Sequence, residues 1–405
     1  MEQSRINTNF AENKQKMKKL CFLVDSIFTV GGVQRVTAVI AGALSKNYDV
    51  TIVTFDGPDK KDLSMYQLGD YHLHYQFISY PGVSPTKNKL CKAYSYLYRK
   101  ILPKCGLTSD LYAHSSFPKE RRKALAKVLM EKQFDAVIGV HAFLAIRLAT
   151  IKKELRGTKA IGWIHNSFDA LLREGSPYLG TELKYHYGRQ LQKLDDVVVL
   201  YQQDAEMYQQ TFGFKPTSIY NPLTLKPGPR SDGQQKRFLA VGRFSPKHKG
   251  FDLLIQAFAL FAKKNRSWQL DIVGDGAEKE LLTKMIINNK LENRITLHPF
   301  TNEIQKFYSA ASVYVLSSRW EGMPLVLVEA MSHGLPIIAS DIPTCQEVLG
   351  DFGLFFKNGD IQELAQRLED ATRLDWQKKS DEAITIAQRF DINQIAGQWK
   401  QLIER

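Results

Sequence analysis

Cysteine is scarce in this chain. Its 405 residues carry four, Cys21, Cys91, Cys105 and Cys345, with no Cys-x-x-Cys pair. That argues against a disulfide framework and against a zinc site. No apolar run approaches the roughly 20 residues that a membrane-spanning helix needs. The first residues, among them Glu2, Arg5, Glu12, Lys14 and Lys16, lack the apolar core of a signal peptide, so the expectation is a cytoplasmic protein. Repeats of short period and low-complexity tracts are absent, which sets aside solenoids and disordered arrays.

What is present is the composition of a soluble globular protein, 44% hydrophobic and 24% charged. The length exceeds one typical core, so two domains are expected. The net charge of +13 is uneven. Between Lys87 and Lys127 eleven Lys or Arg face only two acids, Asp110 and Glu120. Tyr94, Tyr96 and Tyr98 lie among them. Basic residues mixed with aromatics suit an anionic membrane surface or a lipid diphosphate. They also suit nucleic acid or a merely solubilising face. Arg99, Lys100, Arg121, Arg122 and Lys123 are the candidate contacts.

Short apolar strands alternate with amphipathic stretches along nearly the whole chain. In the first half they fall near Lys19–Val24, Val50–Phe55, Ala136–Val140, Ala160–Ile164 and Val197–Leu200. In the second they fall near Arg237–Val241, Gln269–Val273, Ile295–His298, Val313–Leu316, Ile337–Ser340 and Gly353–Phe356. Continuous apolar runs are expected of parallel strands covered on both faces. Phe251, Leu254, Ile255, Phe258, Phe261 and Ala262 mark one face of a helix between two of them. The pattern is α/β: two doubly wound, Rossmann-like units in series, expected to face a central cleft at their C-terminal strand ends. Prolines and glycines cluster from Asn221 to Gln235, as at a domain boundary. The division expected is residues 17–222, a linker at 223–235, a second domain at 236–385, and a C-terminal helix at 386–405 placed to pack back on the first domain.

Chemistry concentrates in Glu321-Gly322-Met323-Pro324-Leu325-Val326-Leu327-Val328-Glu329. Glu321 is expected in the loop before a helix running from about Leu325 to His333, with Glu329 about two turns inside it. The unpaired N–H groups of a helix start between them favour an anion. A nucleotide sugar has the matching layout of sugar hydroxyls, diphosphate and ribose. The plainer reading is a helix cap and a solvated glutamate. Against it, Glu329 is surrounded by Leu325, Val326, Leu327, Val328, Ala330 and Met331, where a charge needs a partner.

Two further loops follow first strands. Gly31-Gly32-Val33-Gln34-Arg35 opens a helical segment from Val33 to Leu44, and its glycines allow close backbone approach to an anion. It is not Gly-x-Gly-x-x-Gly, so a dinucleotide fingerprint fails, and a simple tight turn would account for it equally. Val241-Gly242-Arg243 to Lys249-Gly250-Phe251 holds the corresponding place in the second half. There Arg243 can grip phosphate with its planar fork and Lys249 can add a point charge.

Taken together, these residues resemble the retaining glycosyltransferases of the GT-B fold, glycosyltransferase family 4. The resemblance rests on Gly242-Arg243 with Lys249-Gly250-Phe251, on Gly274-Asp275-Gly276, on Glu321 to Glu329, and on Ala330-Met331-Ser332-His333-Gly334-Leu335-Pro336 with Ser340-Asp341. In the first half only the Gly31-Gly32 loop and His165 match clearly. It implies that Arg243 and Lys249 hold a donor diphosphate, with Gly31 and Gly32 approaching it. It further implies that Glu321, with the backbone of Gly322 and Met323, binds sugar hydroxyls, that the Leu325 and Val326 backbone lies near the phosphates, and that Glu329 binds the ribose. His165 would be the active-site histidine. Where the family often has glycine before the Glu after Ser-Asp, this chain has Pro343-Thr344-Cys345-Gln346-Glu347, a bulkier approach to the donor sugar.

The reaction implied is transfer of a hexose from a UDP-linked donor with retention at the anomeric carbon. The departing diphosphate takes the acceptor's proton. No metal or other cofactor is expected, since cations neutralise the diphosphate and no Asp-x-Asp pair is present. The acceptor implied is a glycan or lipid-linked glycan of bacterial surface polysaccharide or lipopolysaccharide assembly, met at the inner face of the cytoplasmic membrane. An epimerase or glycogen-synthase-like enzyme on the same fold is the alternative. A nucleic-acid-binding protein is the other, but it leaves Glu321, Glu329 and the phosphate loops unexplained, and nucleic acid is not expected as a partner. Glu321→Ala and Lys249→Ala are expected to lose activity while folding normally. The sequence assigns no oligomeric state.

Overall fold

The computed structural model describes residues 17–225 and 228–405. The polar residues Glu2 to Lys16 and the linker residues Lys226-Pro227 lie outside the described residues. The described residues form two compact units, one of residues 17–220 with Ile395–Arg405 and one of Asn221–Gln394.

The first unit is built on seven parallel strands: β1 (Lys19–Val24), β2 (Asp49–Thr54), β3 (Leu73–Phe77), β4 (Ala136–Val140), β5 (Lys159–Trp163), β6 (Asp196–Val199) and β7 (Thr217–Ser218). Their order is β3-β2-β1-β4-β5-β6-β7. The central strands are buried apolar runs, Leu20 to Val24 on β1 and Val137, Ile138 and Val140 on β4, as a sheet covered on both faces requires. Pairing of β1 with β4 sets Leu20 opposite Ala136 and Leu23 opposite Gly139. Helix α1 (Gly32–Leu44) buries Val36, Ile40 and Leu44. Helices α2 (Pro85–Lys100), α3 (Gly106–Ser116) and α4 (Lys119–Lys132) fill the excursion between β3 and β4, and α5 (Ala142–Ile151) follows β4.

The second unit has six parallel strands: β8 (Arg237–Val241), β9 (Gln269–Val273), β10 (Ile295–His298), β11 (Val313–Leu316), β12 (Ile337–Ser340) and β13 (Leu354–Phe356), in the order β10-β9-β8-β11-β12-β13. Helix α6 (Phe251–Ala262) buries Phe251, Leu254, Ile255, Phe258 and Phe261 in a core shared with Phe238 and Ile272. Helix α7 (Leu325–Ser332) follows β11. From Asn221 onward the chain is tied into this unit. Leu223 N–H donates to Phe390 O at 2.8 Å, Ser231 N–H donates to His333 O at 3.0 Å, and Arg230 pairs with Asp381 at 2.7 Å.

The last helix, α8 (Ile392–Glu404), contributes its residues from Ile395 to the first unit. Trp399 packs edge-on against Trp163, with ring centroids 4.9 Å apart. Lys159 Nζ donates to Leu402 O at 2.6 Å. Glu404 accepts from the Tyr48 hydroxyl at 2.6 Å and the Lys18 ammonium at 2.5 Å.

Both sheets reverse their winding at one point, between β1 and β4 and between β8 and β11. Loops leaving the C-terminal ends of those strands diverge there and open a crevice, which is where open α/β sheets bind ligands. The two sheets therefore nominate the loops after β1 and β4 and the loops after β8 and β11.

Candidate active site

In the second unit the two nominated loops carry the residues singled out in the sequence. The loop after β8 is set by backbone contacts that only small residues permit. A Cβ on Gly274 would stand 1.9 Å from Gly242 O, so the two chains touch backbone to backbone. Phe244 N–H donates to Asp275 O at 2.8 Å. Gly250 takes a left-handed φ of 66° and lies against the loop after β11, where a Cβ would meet Ser317 O at 1.9 Å. The two loops are further joined by Arg319 N–H to His248 O (2.8 Å) and by the Ser317 hydroxyl to Lys249 O (2.9 Å).

This knitting brings Lys249 and Glu321 together. Their ammonium and carboxylate meet at 2.6 Å, with the side chains 16% and 7% exposed. The Ser318 hydroxyl donates to the same carboxylate oxygen at 2.5 Å, and Ser318 O is itself held by the Ser340 hydroxyl at 2.6 Å. His248 Nε2 stands 3.9 Å from the other oxygen. Arg243 is exposed beside them, close enough that its charge, after burial and Lys249, helps to depress the His248 pKa. The pairing changes one expectation. Removing either partner leaves a mostly buried charge uncompensated, so Glu321→Ala and Lys249→Ala cost stability as well as activity.

Helix α7 begins at Leu325, as expected, and Glu329, four residues on, lies a little over one turn inside it rather than two, since a turn takes about 3.6 residues. Glu329 is 3% exposed, which rules out the solvated-glutamate reading. Its Oε2 accepts from the buried Tyr308 hydroxyl at 2.9 Å. The His333 ring stacks on Tyr308, and His333 Nδ1 lies 2.9 Å from Glu329 O. Met323 Sδ accepts from Asn221 N–H at 3.2 Å, which fixes the loop between the two glutamates. Leu325 and Val326 form the first turn, with Leu325 N–H donating to Met323 O at 2.9 Å and Leu327 N–H to Pro324 O at 2.9 Å. Cys345 is fully buried. Burial holds its thiol well above the ordinary range, and Glu321 adds to the effect, so this side chain lies within electrostatic reach of the glutamate.

In the first unit, Gly31 caps α1 in extended conformation, and its N–H donates to the Tyr66 hydroxyl at 2.8 Å. That hydroxyl donates to Thr29 O at 2.8 Å. Beside Gly32, a Cβ would meet nothing within 4 Å. The Asp56 carboxylate accepts from Ile27 N–H (2.8 Å), the Ser26 hydroxyl (2.7 Å) and the Thr54 hydroxyl (2.8 Å), and so shapes the turn after β1. His165, two residues past β5, is buried. Its ring packs 4.2 Å from Trp163 and 5.4 Å from His141, and its Nε2 is buried with no hydrogen-bond partner. Burial first, and the His141 ring second, push its pKa well down.

His141 was not found in the sequence. It follows β4, on the nominated crevice, with φ 78° and ψ 154°, a region reserved almost entirely for glycine. Nothing in the identity of a histidine signals such a backbone. Its N–H donates to Trp163 O at 2.8 Å, and burial lowers its pKa while Asp25 partly offsets this. His248, Ser318, Trp320 and Tyr308 also escaped the sequence reading. Trp320 stacks on His248 with ring centroids 4.9 Å apart.

The buried histidines make stability depend on pH. His141 and His165 are depressed, and burial takes His186 down to about 4. As pH falls below the unfolded value of about 6.5, the unfolded chain binds protons that the folded chain refuses. The stabilisation from neutral burial is thus complete above that pH and lost below it. Urea midpoints are expected to fall between about pH 6.5 and 5, and His165→Gln is expected to flatten the decline. A flat profile in the parent protein would contradict this.

The basic stretch resolves into α2, α3 and α4. Lys92, Arg99, Lys100 and Arg121 line a groove of about 580 Å³ with Tyr96 and Tyr112. Arg122 and Lys123 do not line it. Part of the charge is already paired, Arg99 with Glu182 at 3.2 Å and Lys87 with Glu120 at 2.5 Å. Of the three tyrosines only Tyr96 is exposed. Tyr98 is core, stacked on Tyr112, and Tyr94 donates to Thr108 O at 3.0 Å. No helix among the described residues is long and apolar enough to cross a membrane.

Comparison with known proteins follows the same division. Residues 30–227 match the family model described as Glycosyltransferase Family 4, and residues 224–390 match Glycosyl transferases group 1. An uncharacterized glycosyltransferase of Haemophilus influenzae is 28% identical over 96% of this chain and 100% of its own length. A Campylobacter jejuni protein is 24% identical over 94% of this chain and 98% of its own. Its name is N-acetylgalactosamine-N,N'-diacetylbacillosaminyl-diphospho-undecaprenol 4-alpha-N-acetylgalactosaminyltransferase. Among solved structures, Anabaena HepE in complex with UDP-glucose superposes with a TM-score of 0.70 at 19% identity, covering 95% of this chain and 99% of that one.

Proposed function

Since this chain belongs to the GT-B glycosyltransferases, a family 4 domain followed by a group 1 domain, we propose that it moves a hexose from a UDP-linked donor to a glycan or lipid-linked glycan, with retention at the anomeric carbon. The observation that carries the donor site is the buried Lys249–Glu321 pair beside Arg243 at the reversal point of the second sheet. A lysine ammonium has three N–H donors, so Lys249 can hold Glu321 and a phosphate oxygen together. Arg243 and the start of α7 add positive potential where the diphosphate gathers charge as it leaves. Glu321 accepts from sugar hydroxyls, with the Gly322 and Met323 backbone beside it. Glu329, oriented by Tyr308, accepts from the ribose. The neutral, buried His165 of the first unit is kept as the active-site histidine.

The chemistry needs no protein nucleophile. The bond from the anomeric carbon to the diphosphate oxygen breaks, the acceptor oxygen attacks from the same face, and its proton passes to the departing phosphate. Two cations already neutralise that phosphate, so no metal is invoked. Proton NMR of the product tests the stereochemistry directly: an α-linked donor should give an α-linked product, and a β-linked product would overturn retention.

The acceptor reading draws on the basic groove of the first unit and on the diphospho-undecaprenol acceptor in the name of the Campylobacter jejuni relative. A place at the inner face of the cytoplasmic membrane, in surface polysaccharide assembly, follows from such an acceptor. Charge reversal at Arg121, Arg122 and Lys123 is expected to weaken binding to anionic vesicles at low salt. Unchanged binding would remove these residues from the contact.

A further inference from the structure

An amphipathic helix normally turns its apolar stripe toward the core. Helix α2 leaves an apolar stripe exposed. Leu90, Ala93 and Leu97 recur at three- and four-residue spacing, Ile101 follows four residues later, and all four are exposed, the large ones by 68%, 41% and 66%. The one fully buried side chain of the helix, Tyr98, lies about a quarter-turn round the helix from the middle of this stripe. On the adjoining helix α3, Leu107 and Leu111 are one turn apart and exposed by 72% and 47%. Among the described residues, nothing covers these six apolar side chains on one helical pair.

The charge around the stripe identifies its occupant. No Asp or Glu occurs between Asp70 and Asp110. Going round α2 by helical periodicity, the stripe is bordered on one side by Lys89, Tyr96 and Lys100, the last two already lining the cationic groove that continues beyond them to Lys92 and Arg99. Apolar residues, then lysines with a tyrosine, then a cationic groove is the sequence of environments met on leaving a bilayer: acyl chains, headgroup boundary, anionic phosphates. A nucleic acid would have no use for the leucines. A protein partner would need acids facing the lysines and offers no reason for the ordering.

We propose that α2, with the outer face of α3, is a membrane-docking element. It lays Leu90, Leu97 and Ile101 into an anionic bilayer surface while Lys89 and Lys100 hold the headgroups. The proposal rests on the reading that the acceptor is carried by a membrane, and it makes the groove of Lys92 and Arg99 open at headgroup depth.

Co-sedimentation with vesicles of mixed phosphatidylglycerol and phosphatidylethanolamine tests it without any acceptor. The double variant Leu97→Ser/Ile101→Ser is expected to weaken partition by roughly tenfold or more, an effect that persists in high salt, since apolar insertion is not screened. Lys89→Gln/Lys100→Gln is expected to weaken it mainly at low salt. All four positions are exposed, so an unchanged melting temperature confirms folding. Equal binding by the leucine and isoleucine variants would overturn insertion. Failure of the parent protein to bind these vesicles, or equal binding to purely zwitterionic ones, would overturn the docking proposal altogether. The melting shift induced by UDP is read on the same variants. Its absence in the parent would count against the donor reading alone, leaving the vesicle result to stand or fall separately.

Discussion

Glu321→Ala is expected to lower kcat by roughly 10²–10³-fold, the usual cost of removing a group that organises charge in the transition state. The side chain is 7% exposed, bonded to the Lys249 ammonium and to the Ser318 hydroxyl. Its loss has two consequences that must be separated. The sugar hydroxyls lose their acceptor, and Lys249 is left charged without its partner. The second effect costs about 2–3 kcal/mol, less than for a fully buried pair because Lys249 keeps some contact with water. A double-mutant cycle divides the two. Lys249→Ala alone should be destabilised similarly and should lose turnover through the phosphate. The combined variant should recover part of the stability, because no charge is stranded, yet recover none of the activity. Full turnover by Glu321→Ala with the true acceptor would remove this residue from the reaction.

The second large effect is expected at a position with no functional group. Gly250→Ala should destabilise the protein by roughly 3 kcal/mol or more. The left-handed φ of 66° disfavours any side chain, and the added Cβ would lie 1.9 Å from Ser317 O, a backbone atom that cannot move alone. Relief of that clash must push the loop after β8 away from the loop after β11, and so must separate Lys249 from Glu321. Loss of stability and loss of activity are therefore coupled in this variant. Gly32→Ala is the contrast. A Cβ there meets open space, so its melting temperature should hold. A Gly250→Ala protein as stable as the parent would show that the two loops are not wedged together as described.

Much of the fold was legible because buried parallel strands announce themselves as continuous apolar runs. Seven strands, β1, β4 and all but one of the second unit's, have the expected bounds, and β13 begins one residue later than expected. At β2, β5 and β6 the strand begins one residue earlier, on Asp49, Lys159 and Asp196, polar residues at the rim that the apolar pattern leaves out. Two strands were missed. In β3 the run Leu-His-Tyr-Gln-Phe is half-exposed at the sheet edge and does not look buried, and β7 is two residues long. The region from Lys87 to Lys127 gave its charge but not its surface, because the exposed Leu90, Leu97 and Ile101 read like core residues in the sequence.

The site divides in the same way. Glu321, Lys249 and Arg243 are visible as motifs, since their order along the chain is the signal. Their pairing is not, because Lys249 and Glu321 are separated by 72 residues and meet only when β8 and β11 lie side by side. The need of Glu329 for a partner could be read from its apolar neighbours. That the partner is Tyr308 could not. The strained His141 shows a further limit, as backbone conformation outside the ordinary regions carries no compositional mark unless glycine occupies it.

The most direct test of the donor site is calorimetric titration of UDP into the parent protein and into Glu329→Ala, with GDP and ADP as comparison ligands. A ribose held by Glu329, and a diphosphate held by Arg243 and Lys249, predict that UDP binds the parent protein and that the variant binds it roughly tenfold or more weakly. The comparison nucleotides should bind less well than UDP. Equal affinity of parent and variant, or heat from none of the three nucleotides, would contradict the placement of the donor at the reversal point between β8 and β11.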